Sequence, residues 1–78
     1  LSGDLTLAAE HLGEAVKLRP SEARTRYLLV QILIEQGRYD QALSHARRLA
    51  WANENNPQYA SLVDKIRKAR SAIRLLNP

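Results

Sequence analysis

The sequence predicts an all-α chain of four helices arranged as antiparallel hairpins. Three observations lead there. Apolar residues recur at helical spacing in four segments. Each segment is bounded by residues that start or stop helices: Pro20 and Ser21, Gly37, the Asn53-Glu54-Asn55-Asn56 cluster, and Pro57. The chain also matches itself when displaced by 34 residues.

The first helix is expected over Asp4 to Leu18. Leu5, Ala8, Ala9, Leu12, Ala15 and Val16 fall along one face, Asp4 is a suitable N-cap, and Pro20 stops the segment. The second is expected over Glu22 to Gln36, with Ser21 as N-cap. Its apolar residues, Tyr27 to Val30 and Ile32 to Ile34, cover most of the circumference, so it should be buried on several sides. Its β-branched residues also suit a strand. Its length and the Gly37 stop favour a helix, with Gly37 in the left-handed conformation. The third helix is expected over Tyr39 to Asn53, with a stripe of Tyr39, Ala42, Leu43, Ala46, Leu49 and Ala50. The fourth begins at Pro57 behind Asn56 as N-cap and carries Tyr59, Leu62, Val63, Ile66, Ala69, Ile73 and Leu76; Asn77-Pro78 closes it. The connections are short, so successive helices should lie antiparallel, with the fourth against the second and third. Leu29, Val30, Leu33, Ala42, Ala46, Leu49, Leu62 and Ile66 should form the core.

Composition narrows the function. The 78 residues suffice for one small domain, and 45% apolar content argues against disorder. No Cys is present, which excludes disulfides, thiol catalysis and cysteine-ligated zinc. No apolar run approaches the length of a membrane span, and no signal peptide is visible. The expectation is a soluble chain, with cytoplasm favoured over periplasm. The opening Leu1-Ser2-Gly3 and the lack of Met suggest a piece of a longer protein. The net charge of +4 lies wholly in residues 39–78, and the first half is neutral. A solvated face is the ordinary reading of such a bias, and an acidic partner the functional one.

The 34-residue displacement pairs Gly3 with Gly37, Ala8 with Ala42 and His11 with His45. Apolar positions also coincide: Leu5 with Tyr39, Leu12 with Ala46, Ala15 with Leu49, and Val16 with Ala50. Gly37-Arg38-Tyr39-Asp40-Gln41-Ala42 closely resembles the G-x-Y-x-x-A signature of the tetratricopeptide (TPR) repeat family. Gly3-Asp4-Leu5-Thr6-Leu7-Ala8 is similar to the same turn and helix start, and Ala15-Val16-Lys17-Leu18-Arg19-Pro20 to the family's A-L-x-L-x-P ending. The chain departs from the pattern at Arg26, where Trp is frequent, at Leu49, where alanine is usual, and at Glu54, where proline is usual. The fourth helix lacks the glycine turn of a further repeat. The resemblance implies about one and a half repeats in a right-handed solenoid. Residues 1–20 would be the second helix of one repeat, 21–56 a full repeat, and 57–78 a long closing helix.

No catalytic constellation, phosphate-binding loop or H-E-x-x-H motif appears, and no enzyme or cofactor is expected. His11 and His45 share a repeat position, but two ligands without flanking acids are too few for a metal, so they are read as surface histidines. Trp51 lies off the apolar stripe and is read as packing over the end of the core; the alternative is an exposed contact for a partner.

The resemblance implies a protein-binding module or scaffold that holds a partner's peptide or helix on a concave face. By position, that face would present Arg24, Tyr27, Gln31 and Glu35 from the second helix and Gln58, Ser61, Lys65 and Lys68 from the fourth. Tyr27 and Gln31 stand where the family's clamp for chaperone tails needs Lys and Asn, so such tails are not expected to bind. The alternative is a structural C-terminal cap or self-association module of a longer solenoid. A homo-oligomer would form through the first helix at Leu5, Leu12 and Val16, which should be only partly covered, or a preceding segment would complete that hairpin. Nucleic-acid binding through Lys65, Arg67, Lys68, Arg70 and Arg74 is the minor alternative, because no aromatics are interleaved with those bases.

Overall fold

The computed structural model describes residues 2–76. They form four helices: α1 (Ser2–Leu18), α2 (Ala23–Glu35), α3 (Tyr39–Ala52) and α4 (Pro57–Leu76). No strand occurs among the described residues. Each helix packs extensively on the next in sequence, α1 on α2, α2 on α3 and α3 on α4. The result is a slab about 15 Å thick, two helix layers with one core between them.

That core is built from the expected stripes. Leu29, Val30, Leu33, Ala42, Ala46, Leu49, Leu62 and Ile66 are all buried, joined by Ala9, Val16 and Leu43. Ala42 and Ala46 have no exposed surface, and neither does Val30 on the facing helix. Small side chains on α3 let α2 approach closely, and bulk on α2 fills the space so made. The contact of α4 with α2 is narrower than with α3. Tyr27 and Tyr59 meet there, their rings 6.0 Å apart and tilted by 49°.

The turns show how the chain reverses. Gly37 is the residue with positive φ, at 75°, among those described. The Gly37 amide donates to the Ile34 carbonyl (3.0 Å) and the Arg38 amide to the Leu33 carbonyl (2.9 Å). These paired bonds are the Schellman closure, which satisfies carbonyls left open at the end of α2. At the start of α4, Asn56 Oδ1 accepts the Gln58 amide at 3.0 Å, which confirms the cap ahead of Pro57. Asn53 ends α3, its amide and its side-chain Nδ2 both donating to the Leu49 carbonyl.

Some boundaries differ from expectation. α1 begins at Ser2, so Asp4 is not a cap but an acid of the first turn, where it favours the helix dipole. Gly3 is likewise helical and lacks the left-handed conformation of its repeat partner Gly37. Glu22, not Ser21, occupies the N-cap of α2, and it makes no side-chain cap bond. The expected Asn77-Pro78 stop lies outside the described residues.

Two glycines behave oppositely. A Cβ at either Gly37 or Gly13 would meet no atom within 4 Å, so only the backbone decides. Gly37→Val should destabilise the fold by about 1–2 kcal/mol, because a branched side chain resists positive φ. Gly13→Ala, inside α1, should stabilise it by about 0.5–1 kcal/mol. Thermal denaturation followed by circular dichroism checks both; a Gly37→Val midpoint equal to the parent's contradicts the turn assignment.

Candidate functional site

The face expected to bind a partner is drawn together at one point. Gln58 Nε2 donates to Tyr27 Oη at 3.4 Å, beside the Tyr27–Tyr59 ring contact. Tyr27 and Gln31 are half-buried on α2, while Arg24 and Glu35 are exposed. Gln58, Ser61, Lys65 and Lys68 are exposed on α4. Lys68 is paired with Asp64 on its own helix at 3.1 Å. No hydrogen bond or ion pair joins Arg24, Gln31, Glu35, Ser61 or Lys65 to another member of the set. The face is thus an open polar surface over a tyrosine contact. Tyr59, absent from the sequence-based set, completes it.

Among the five bases of α4, Arg70 is half-buried and reaches across to Asp40 of α3 at 2.8 Å. With Lys68 also paired, the helix offers less free positive charge than its sequence suggests.

The residues expected to mediate self-association separate. Leu5 and Leu12 are half-buried, as expected of a partly covered face. Val16 is buried and packs in the core, so it does not belong to that open face. Its position on the inner side of α1 against α2 is the reason. Leu7, 54% exposed, lies two residues on from Leu5 and so on the opposite side of α1.

A second constellation was missed in the sequence. Arg26 is the buried charged residue of the chain among those described, 6% exposed. Its Nη1 lies 2.8 Å from His45 Nδ1, and its Nη2 donates to the Pro20 carbonyl at 3.1 Å. A guanidinium only donates, so His45 Nδ1 accepts and the imidazole carries its proton on Nε2. Arg26 thereby ties the α1–α2 connection to α3. His45 is therefore not the surface histidine expected, whereas His11 is exposed. No group of three metal-ligating side chains occurs among the described residues. The available signal was the register of Arg26: it lies three, four and seven residues before Leu29, Val30 and Leu33, on the buried stripe.

Beside Arg26, between the start of α2 and the end of α3, lies a cleft of about 650 Å³. Trp51 borders it and is 81% exposed, so it does not pack over the core. Leu49, two residues earlier, is buried in the core, which leaves the indole on the outer side of α3.

Electrostatics at this site run one way. Burial, then the charges of Arg26 and Arg48, hold the His45 pKa below its ordinary value. Burial and Arg48 also lower that of Arg26, which stays protonated at any ordinary pH. The unfolded chain therefore takes up a proton at His45 before the folded chain does. The stability from neutral His45 is fully present above about pH 6.5 and is lost as pH falls through the depressed folded value. Denaturant midpoints measured from pH 7.5 down to pH 5 should fall less steeply in His45→Gln, which keeps a neutral acceptor, than in the parent. Equal slopes in the two proteins rule out the coupling.

No helix among those described is long and apolar enough to cross a membrane. Compared with known proteins, the chain matches a family model described as tetratricopeptide repeat over residues 1–66. No curated protein and no solved structure matched it significantly. The match spans most of the chain and includes the Gly37 turn, the small residues of α3 and the paired helices described above. The chain belongs to the tetratricopeptide repeat family.

Proposed function

We propose that the chain is a protein-binding module that holds a partner polypeptide across the surface shared by α2 and α4. Repeats of this family mediate protein–protein interaction in general. The observation that supports this particular surface is the Tyr27–Gln58–Tyr59 junction, which sets two helices side by side beneath exposed polar groups. Tyr27 and Tyr59 supply rigid amphipathic area, and Arg24, Gln31, Lys65 and Lys68 supply donors around it. Nucleic-acid binding is disfavoured, since two of the five bases of α4 are already paired.

A second reading, self-association through α1, draws on a separate observation. α1 has α2 as its one extensive helix neighbour, and Leu5 and Leu12 on one of its faces stay only half-buried. A matching apolar helix from another copy would cover that face.

The two readings predict different sensitivities. Affinity capture with the intact chain as bait should retain a partner that is lost in the double variant Tyr27→Ala, Lys65→Glu and kept in Leu7→Glu. Capture indifferent to the double variant would remove the α2–α4 surface from consideration. Light scattering should show Leu12→Glu weakening any assembly more than Lys68→Glu does. A parent chain that stays monomeric at high concentration sinks the self-association reading.

A further inference from the structure

The cleft between the start of α2 and the end of α3 holds an unbalanced charge. Arg26 is almost wholly buried, yet neither of its hydrogen-bond partners is a carboxylate. Both partners are neutral acceptors, and together they take two of its five N–H groups. A buried cation is normally paired, because removing it from water without a counter-charge is costly. The residues lining the cleft include a second cation, Arg48, and no Asp or Glu. Arg48 itself has no ion-pair partner among the described residues. The nearby Glu22 carboxylate is occupied, since it accepts from the Thr25 hydroxyl and lies 3.7 Å from Arg19.

Apart from Ser21 and Asn53, the remaining walls are apolar. Ala23, Leu49 and Ala52 line the cleft, and the exposed indole of Trp51 stands at its edge. An occupant that fits must bring an oxyanion to Arg26 and Arg48, and an apolar group to Trp51 and Leu49. A planar guanidinium binds a carboxylate through paired N–H bonds, and a large exposed aromatic is a favoured anchor at protein interfaces.

We propose that this cleft is a recognition site for an acidic peptide segment. A Glu or Asp carboxylate of the partner sits on the Arg26–Arg48 pair, and a neighbouring aliphatic side chain lies against Trp51. The site rests on the protein-binding reading above but not on the α2–α4 surface. The partner's acidic group completes a charge pair that the chain leaves open.

Trp51 is the only tryptophan in the sequence, so its fluorescence reports on the cleft directly. The experiment titrates the whole chain with an acetylated, amidated hexapeptide of alternating Glu and Leu. The same peptide with Gln for Glu, and inorganic phosphate, are separate arms. The Glu peptide should change Trp51 emission saturably, and the Gln peptide should bind at least about tenfold more weakly, the scale of one lost charge-assisted bond. Arg48→Gln, an exposed substitution expected to leave the fold and melting temperature intact, should weaken the Glu peptide by a similar factor. Arg26→Gln should weaken it further where circular dichroism shows it folded. Tyr27→Ala with Lys65→Glu should leave the titration unchanged, so that failure of the α2–α4 surface and failure of this cleft are told apart. The proposal is overturned by equal responses to the Glu and Gln peptides, by parent-like affinity in Arg48→Gln, or by loss of the signal in the α2–α4 variant. Saturation by phosphate without saturation by the Glu peptide also overturns it.

Discussion

The close approach of α2 to α3 is the constraint on which the remaining structure depends. It requires Ala42 and Ala46, fully buried on α3, in one core with the larger Leu29, Val30 and Leu33 of α2. A larger residue at either alanine would push the helices apart or force side chains from their preferred rotamers. It also requires a reversal within three residues, which the left-handed Gly37 and its paired backbone bonds supply. Once these helices are antiparallel and close, the start of α2 must lie beside the end of α3. That register brings Arg26 to His45 and opens the cleft bordered by Trp51.

Arg26 shows how a local departure from a repeat pattern is accommodated. The position faces inward whatever residue occupies it, because the stripe of Leu29, Val30 and Leu33 fixes the face of α2. A long guanidinium there can bury its methylene stem while its head reaches polar atoms at the edge. The Pro20 carbonyl and His45 Nδ1 are those atoms. The departure from the family pattern at position 26 and the histidine at position 45 are therefore parts of one interaction, 19 residues apart in sequence and in contact in space.

The fold was legible in the sequence because helical periodicity and turn chemistry act over a few residues. All eight expected core residues are buried, and the Gly37 and Pro57 punctuation lies where the stripes require it. What was not legible depends on neighbours distant in sequence. The register of Arg26 puts it on the buried stripe, but nothing local says which polar atoms its head meets, that His45 accepts its hydrogen bond, or that Trp51 faces outward. Val16 illustrates the same limit on a smaller scale. Its spacing puts it on the apolar face of α1, but only the placement of α2 decides which part of that face is covered. Gly3 matches Gly37 by position, yet a glycine takes the conformation its surroundings impose, and within α1 that is helical.

The pairing of each helix chiefly with the next in sequence bears on how the chain folds and opens. Contacts of this kind need little loop closure, which favours rapid folding. They also make cohesion depend on position along the array. α2 and α3 each contribute at least three buried apolar side chains, whereas α1 contributes Ala9 and Val16 and α4 contributes Leu62 and Ile66. The outer helices thus contribute the fewest fully buried apolar side chains. Slow amide exchange should concentrate in the central hairpin, with α1 and the distal half of α4, where Leu75 and Leu76 are exposed, fraying from it first.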